Sequence, residues 1–184
     1  MLIKTVRGFT PQYGKNCFFA ENATLIGEVI MGDDCSVWYQ ALVRGDVNTI
    51  SLGNRVNIQD GAVIHGTFEH SATDIGNDVS IGHNAIVHGC RIHDRVLVGM
   101  GSIIMDDSVI GPNSIIASGS VLPKNTVVPE GSVYAGIPAK KIKEVSPELQ
   151  KGEIERIAAS YIKYASWYKY CLLYTSPSPR DATL

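Results

Sequence analysis

Three histidines, His65, His83 and His88, could together bind a metal ion if the fold brought their rings close enough. Neutral imidazole nitrogen is a common ligand of Zn²⁺, at Zn–N distances of ~2.0–2.1 Å. Any one histidine on a protein surface is more commonly solvated or hydrogen-bonded. The case for a metal site therefore depends on the elements that position all three, and these are set by a sequence repeat.

An aliphatic or aromatic residue recurs at every sixth position along most of the chain. This period matches neither the 3.6 residues of a helical turn nor the simple alternation of a hairpin, but it is typical of short strands stacked three to a coil in a parallel β-helix. The recurring side chains then point inward and stack at ~4.8 Å. The recurring residues are Phe19, Leu25, Met31, Val37, Val43, Leu52, Ile58, Ile64, Ile75, Ile81, Val87, Ile92, Val98, Ile104, Ile110, Ile116, Leu122, Val128 and Tyr134.

The repeat has three irregularities. Extra residues follow Val43 and Ile64, and we expect a loop to leave the β-helix at each of these points. One residue is missing after Val87, which predicts a shortened corner. From Ile92 to Tyr134 the spacing is unbroken.

Stacking the repeats places two of the histidines side by side. Because three six-residue units complete one coil, Val43, Ile64 and Val87 share one inward column. The residue after each of these points outward from the same wall. These outward residues are Arg44, His65 and His88. His65 and His88 are therefore expected at about one strand spacing, close enough to share a metal ion.

His83 belongs to a different wall. It follows Ile81, which shares a column with Ile58, so that Gln59 and Asp60 should lie beneath it. This wall faces away from the other two histidines, and His83 can hardly complete the site of its own chain. It can complete the site of a neighbouring subunit if the molecule is a trimer about a threefold axis parallel to the β-helix.

Several motifs resemble the signature of γ-class carbonic anhydrases and their close relatives. The resemblance covers about residues 14–170. The motifs are Arg44-Gly45-Asp46-Val47-Asn48, Asn57-Ile58-Gln59-Asp60-Gly61, His65, Ile81-Gly82-His83 and Val87-His88-Gly89-Cys90. The resemblance implies a left-handed parallel β-helix that forms a homotrimer, with His65 and His88 of one subunit and His83 of the next holding each metal ion. We expect Zn²⁺, with Fe²⁺ or Co²⁺ as alternatives, since three imidazoles do not choose among these ions.

The same resemblance implies reversible hydration of CO₂ to bicarbonate by a metal-bound hydroxide, because three protein ligands leave one position open for water. The catalytic residues that it implies are Gln59, Arg44, Asp46, Asp60, Asn57 and Tyr161. Gln59 would orient the hydroxide, and Asp60 would pair with Arg44 across the interface. The charged members could instead be interface salt bridges only. Tyr161 or Tyr164 would reach the pocket, although a tyrosine on a helix is more commonly a core residue.

One departure from the family leaves other functions open. The segment 66–74 is short, and Val47 stands where the best-studied type carries an acid. Glu69 or His70 could serve as the proton shuttle, although both could equally be solvated loop residues. Many short-loop relatives hydrate CO₂ weakly or not at all. Alternative hypotheses are hydrolysis of acyl-CoA thioesters, a non-catalytic metal-binding trimer, and a hexapeptide acyltransferase.

A helix should follow the β-helix. Ser146-Pro147-Glu148 supplies a helix cap, a proline at the first helical position and an acid in the first turn. We therefore expect a helix from about Pro147 to about Tyr170. Its predicted apolar face consists of Leu149, Ile154, Ile157, Ala158, Tyr161, Ile162 and Ala165. The interpretation as domains is an all-β unit over 1–140, a C-terminal helix over 146–171 that packs on it, and a non-native tail over 172–184.

Composition restricts the partners. A net charge of −2 and a pI near 6.2 give no basic footprint for nucleic acid or anionic membrane. No run approaches the ~18 apolar residues of a membrane span, and the start carries no apolar signal region, so we expect a cytoplasmic protein. The four cysteines are widely spaced without a CxxC motif, which indicates reduced structural thiols.

Overall fold

In the computed structural model, which describes residues 1–171, the chain forms a parallel β-helix of six-residue units followed by a C-terminal helix. Each complete coil contributes a short strand to each of three walls. The recurring aliphatic and aromatic residues are buried, except for Phe19 and Tyr134, which are half-buried. Burying one such side chain contributes ~1.5–3 kcal/mol, so the stacked columns are the main source of stability. The fold predicted from the repeat is confirmed.

The walls consist of parallel strands that pair coil to coil. The first wall contains β8 (Val63–His65), β11 (Ile86–His88), β14 (Ile103–Ile104) and β17 (Val121–Leu122). The second wall contains β2 (Gln12–Tyr13), β9 (Thr73–Ile75), β12 (Arg91–Ile92), β15 (Val109–Ile110) and β18 (Val127–Val128). The third wall contains β3 (Phe18–Phe19), β5 (Ser36–Val37), β7 (Asn57–Ile58), β10 (Ser80–Ile81), β13 (Leu97–Val98), β16 (Ile115–Ile116) and β19 (Ser132–Gly136). Two longer strands, β4 (Thr24–Met31) and β6 (Leu42–Leu52), run from the first wall into the second, and β1 (Leu2–Lys4) pairs with β4.

The strand register agrees with the predicted columns. On the first wall His88 lies opposite His65, one coil apart. On the third wall Ile81 lies opposite Ile58, and this pairing fixes the position of the corner with His83 along the axis of the β-helix. The repeat therefore predicted correctly which residues are stacked.

The extra residues after Val43 bulge from the β-helix as predicted, but they do so within a strand and not as a separate loop. β6 pairs with β4 up to Gly45, opposite Gly27, and again from Ile50, opposite Val29. Residues 46–49 of β6 therefore lie opposite Glu28 alone, and the extra residues form a bulge at this corner. The two strands approach closely at Gly45, where an added Cβ would collide with the carbonyl group of Glu28.

The other two irregularities are as predicted. After β8 the chain leaves the β-helix in a short loop over residues 66–72, which is closed by a bridge between Thr67 and Ser71. After β11 the corner is shortened, and Gly89 adopts a positive φ of 55° there. Both features lie next to the two stacked histidines.

The third wall ends in β20 (Ala139–Glu144), which returns antiparallel to β19. Its exposed residues are charged, apart from Ile142. The charged residues are Lys140, Lys141, Lys143 and Glu144. The parallel strands of this wall thus end in an antiparallel edge that carries three lysines.

The helix begins as predicted. The Ser146 side chain accepts a hydrogen bond from the Leu149 backbone N–H, at 3.3 Å. The helical segment consists of α1 (Pro147–Leu149), a π-helical stretch (Gln150–Glu155) and α2 (Arg156–Cys171). In the part of the chain that the structure describes, no helix is long and apolar enough to cross a membrane. The tail predicted over 172–184 lies outside the described residues.

α2 packs on the third wall through aromatic side chains. Trp38 lies against Tyr161 and Tyr168, with ring centroids 5.2 Å and 5.4 Å apart. Most of the predicted apolar face is buried or half-buried, but Ile162 is exposed, contrary to the prediction. The docking therefore places Tyr161 beside the corner that carries His83.

Candidate metal centre

His65 and His88 form the two-ligand half of the candidate site. The Nδ1 atom of His65 lies 3.2 Å from Nε2 of His88, and the ring centroids are 5.2 Å apart. Two nitrogens bound to one tetrahedral Zn²⁺ lie roughly 3.3–3.4 Å apart, given Zn–N bonds of ~2.0–2.1 Å. The observed separation suits two ligands of one ion.

The other nitrogen of each ring is held by a carboxylate. His65 Nε2 lies 3.1 Å from Asp46 Oδ1, and His88 Nδ1 lies 3.1 Å from Asp106 Oδ1. A carboxylate accepts, so the ring protons belong on these nitrogens, and the lone pairs of the other two nitrogens then face one another. Such a pair is favourable with a cation between them, and carboxylate-bound histidines are typical of metal ligands. The donor set fits a metal ion.

The environment favours neutral His65. Burial lowers the pKa of this imidazole below its ordinary value, and the hydrogen bond to Asp46 opposes the shift only in part. A metal ligand must be deprotonated, so a lowered pKa keeps the ring ready to bind at neutral pH.

Asp46 is itself held by Arg44. The Arg44 Nη1 atom donates to both carboxylate oxygens, at 3.0 Å and 2.8 Å. Burial alone would raise the pKa of Asp46, but the hydrogen bonds from Arg44 and His65 outweigh it and hold the pKa below its ordinary value. Arg44 and Asp46 therefore position His65 within one chain.

Asp106 was not predicted as a site residue from the sequence. Its side chain is only 6% exposed, and its carboxylate accepts hydrogen bonds from Ser71 at 2.6 Å and Thr67 at 2.7 Å. Burial would raise the pKa of Asp106, but these hydroxyl groups, with the charges of His88 and Lys124, hold it well below its ordinary range. An ionised carboxylate is thus fixed behind His88.

A signal for Asp106 was present in the repeat. Asp106 follows Ile104 by two residues, as Gly89 follows Val87, and Ile104 lies opposite Val87. The two residues therefore occupy the same corner one coil apart. An added Cβ at Gly89 would collide with Asp106 and Ser71, so the glycine makes room for the carboxylate.

His83 forms the one-ligand half of the candidate site, at the corner between the third and first walls. Its Nδ1 atom lies 2.9 Å from Asp60 Oδ2, and the Tyr161 hydroxyl lies 3.4 Å from Nε2. Asp60 thus pairs with His83 inside the chain, while the pair of Asp60 with Arg44 across an interface stays a prediction. Burial, and then the charge of Asp60, raise the pKa of Tyr161 to about 12, so its hydroxyl stays protonated at neutral pH.

Gln59 lies beneath His83 and is held by a buried chain of hydrogen bonds. Its Nε2 donates to Asn57 Oδ1 at 3.0 Å, and Asn57 Nδ2 donates to Ser80 Oγ at 2.7 Å. This chain fixes the orientation of the Gln59 amide. Gln59 and His83 border a cavity of about 300 Å³ between α2 and the third wall. Apolar side chains line much of the cavity, among them Leu97, Val98, Met100, Ile157 and Tyr164.

The two halves do not form a complete site in one chain. Within residues 1–171, no group of three histidine, cysteine or acidic side chains is arranged to hold a metal ion. His65 and His88 stand at the end of the first wall, and His83 stands at the corner where that wall begins. A second copy of the chain would be needed to bring the halves together.

Known proteins with similar sequences show the family to which this chain belongs. A family model described as bacterial transferase hexapeptide (six repeats) matches residues 89–124. A protein of Geobacillus kaustophilus named carbonic anhydrase is 38% identical over 168 residues, which cover 91% of each chain. The chain belongs to the γ-class carbonic anhydrase-like family of hexapeptide-repeat proteins.

Two further similarities show the range of this γ-class-like family. The mitochondrial γ carbonic anhydrase 1 of Arabidopsis thaliana is 36% identical over 161 residues, which cover 85% of this chain and 57% of that protein. A solved structure named as a hexapeptide transferase family protein of Anaplasma phagocytophilum matches with a TM-score of 0.84 and 35% identity, covering 91% of this chain and 98% of that one. Proteins similar to this chain are thus named both as carbonic anhydrases and as hexapeptide transferases.

The two predicted proton shuttles of this γ-class-like chain lie in the loop over 66–72. His70 is exposed, and its Nε2 lies 2.9 Å from Asp107 Oδ2. Glu69 is also exposed and has a positive φ of 53°. Neither residue makes a hydrogen bond to one of the three candidate metal ligands among the contacts described for this part of the chain.

Proposed function

We propose that this protein catalyses the metal-dependent, reversible hydration of CO₂ to bicarbonate at the interfaces of a homotrimer. His65 and His88 of one subunit and His83 of the next would hold the ion, which we expect to be Zn²⁺ or, with the same donors, Fe²⁺ or Co²⁺. The observation that supports this most strongly is the pair of imidazole nitrogens 3.2 Å apart, each ring held from behind by a carboxylate.

When bound, such an ion lowers the pKa of a water molecule toward ~7 and supplies a hydroxide nucleophile. The side chains of this protein provide orientation. Asp46 and Asp106 hold the rings of His65 and His88 in place. Gln59, whose amide is fixed by its hydrogen bond to Asn57, would orient the hydroxide. The Tyr161 hydroxyl, which is protonated at neutral pH and lies 3.4 Å from His83 Nε2, would be available to donate a hydrogen bond beside this ligand.

An apolar stripe supports the trimer. Along the first wall, outward-facing aliphatic residues lie opposite one another in successive coils, directly beside His65 and His88. They are Leu42, Val63, Ile86, Ile103 and Val121. Ile86 is 38% exposed, and the others are half-buried. A continuous apolar surface of this kind is typical of a subunit interface, and covering it would bring a neighbour to the histidine pair.

Complementation between inactive variants tests the shared site. We expect His83→Ala and His88→Ala homotrimers to lose metal-dependent CO₂ hydration. After the two variants are mixed, unfolded and refolded together, some interfaces would combine an intact His65–His88 pair with an intact His83. Hydration should then return in part. A mixture as inactive as its components, although trimeric by light scattering, would contradict the proposal.

The cavity beside His83 favours a second candidate, hydrolysis of acyl thioesters. At about 300 Å³ it far exceeds the volume of CO₂, and its apolar residues suit an acyl chain. A hydroxide nucleophile can attack a thioester carbonyl as well as CO₂. Release of thiol from short-chain acyl-CoA esters by the metal-loaded protein, in the absence of CO₂ hydration, would favour this alternative.

A further inference from the structure

Two cysteines occupy equivalent positions in the first two coils of the β-helix. Cys17 precedes β3 and Cys35 precedes β5. These strands are paired with Phe18 opposite Ser36, and the Phe18 backbone N–H donates to the Cys35 carbonyl oxygen at 2.9 Å. The register therefore stacks Cys17 directly on Cys35.

The two thiols point the same way. Cys17 Sγ donates to the Gly32 carbonyl at 3.3 Å, and Cys35 Sγ donates to the Gly53 carbonyl at 3.2 Å. Adjacent parallel strands lie ~4.8 Å apart, which falls within the Cα–Cα range of ~4.4–6.8 Å that disulfides span.

The remaining coils show that this column tolerates small side chains. Each later coil places a buried valine or serine at the equivalent position. These residues are Val56, Val79, Val96, Ser114 and Ser132. A cysteine-to-serine variant at either position therefore has precedents within the chain.

The two cysteines differ in their exposure to solvent. Cys35 is 1% exposed, whereas Cys17 is half-buried, because Cys17 belongs to the first coil. The hydrogen bond to Cys17, together with burial, raises the pKa of Cys35 above its ordinary value. An oxidant therefore reaches Cys17 first. The pair stands at the corner between the second and third walls, away from both corners of the candidate metal site.

We propose that Cys17 and Cys35 form an intramolecular disulfide that fastens the first coil to the second. With a small-molecule disulfide such as oxidised glutathione, the Cys17 thiolate attacks one sulfur and releases one glutathione thiolate. The Cys35 thiolate then attacks Cys17 Sγ and releases the second glutathione thiolate. Two protein thiols are oxidised and one glutathione disulfide is reduced to two thiols, and the two protons lost by the protein thiols are taken up, through solvent, by the released glutathione thiolates.

The first coil gains most from such a bond. In a solenoid each coil contacts only its neighbours, so the terminal coil is held from one side. A covalent link between the first and second coils limits how far these two segments can separate in the unfolded ensemble. The oxidised protein should have a higher thermal unfolding midpoint than the reduced protein, and Cys17→Ser should abolish this difference.

The direct test uses the full chain, without added metal, equilibrated with oxidised glutathione at mildly alkaline pH and then alkylated. Cleavage after Glu21 and Glu28 separates the two cysteines, so mass spectrometry detects the disulfide as a linked pair of peptides. We expect this pair in the wild type, with the loss of two of its four thiols, and in the control Cys90→Ser, with the loss of two of its three. Cys35→Ser should instead retain a glutathione adduct on Cys17.

Three outcomes would overturn the proposal. Cys17 and Cys35 could both remain alkylated at every glutathione ratio. Cys17 could accumulate in the wild type as a mixed disulfide that Cys35 does not displace. Finally, Cys17 could pair with another cysteine in place of Cys35.

Discussion

The β-helix has an irregular half, up to residue 91, and a regular half, residues 92–134. In the regular half every coil repeats the one before, and the columns serve packing. In the irregular half β6 runs long, a loop bulges over residues 66–72, and the corner at Gly89 is short. All three candidate metal ligands lie in the irregular half.

The difference has a physical cause. A strict repeat offers the same environment at each level, whereas a metal site needs different donors that converge from several directions. The repeat stacks His65 on His88, but the departures from it supply their supports: Asp46 from the long part of β6, and Ser71 from the loop. The regular half contributes Asp106, which lies at a corner of the repeat and accepts hydrogen bonds from the loop over residues 66–72.

Removing one ligand should have the largest effect. We expect His88→Ala to lower both bound metal and CO₂ hydration to the values of chelated protein, since the two imidazoles that remain at each site bind an ion poorly. His93→Ala, an exposed histidine of the regular half, is the matched control and should leave both unchanged. Metal analysis of purified trimer and a hydration assay measure the two effects. Equal metal content in the two variants would remove the distinction between the halves.

The same core substitution made in each half should separate an effect on stability from an effect on metal binding. Ile64 and Ile110 are both fully buried, one beneath the histidine pair and one in the regular half. Each change to alanine should lower the free energy of unfolding by ~2–5 kcal/mol, measured with urea. Only Ile64→Ala should also weaken metal binding, because its column carries His65. If Ile110→Ala weakened metal binding equally, the site would depend on global rigidity instead.

Neutralising the buried carboxylate should have an intermediate effect. Asp106→Asn keeps the shape of the side chain but removes the charge behind His88, and should weaken metal affinity ~10–100-fold. Asp107→Asn, at the neighbouring exposed position, is the control. Competition with a chromophoric chelator measures both affinities. Unchanged affinity in Asp106→Asn would show that the hydroxyl groups around it suffice to orient the ring.

The smallest effect concerns acid stability. The folded-state pKa of Asp106 is depressed, so the folded chain binds fewer protons there than the unfolded chain. Asp106 therefore contributes stability above the ordinary carboxyl pKa of ~3.9, and this contribution is lost as pH falls toward the folded value. In chelated protein, the difference in unfolding free energy between wild type and Asp106→Asn should be largest near neutral pH and should shrink below pH ~4. A pH-independent difference would contradict this account.

Much of the fold could be predicted because a six-residue period fixes which side chains face inward and which strands stack. The same period says nothing of the chain between inward positions, and for this reason the extra residues after Val43 were predicted as a loop when they form a bulge within a continuous strand. Asp106 escaped notice because its partners come from the loop over 66–72, whose path the repeat does not determine.

The helix shows a similar limit. Its capping residues were sufficient to place its start, since those contacts are local. Which side faces the wall depends on how Trp38 fits between Tyr161 and Tyr168, a tertiary fit that periodicity alone does not encode. Ile162 was therefore misassigned, and the approach of Tyr161 to His83 could be stated only as a family expectation.

The antiparallel strand β20 has a consequence for self-association. A parallel β-helix with a bare final coil would expose backbone groups to which the first coil of another molecule could add, and copies could join head to tail without limit. On the third wall that surface is occupied by a strand of the opposite direction that bears several ammonium groups. Parallel addition of another molecule to the last strand of this wall is therefore blocked, which disfavours growth along the axis at this end.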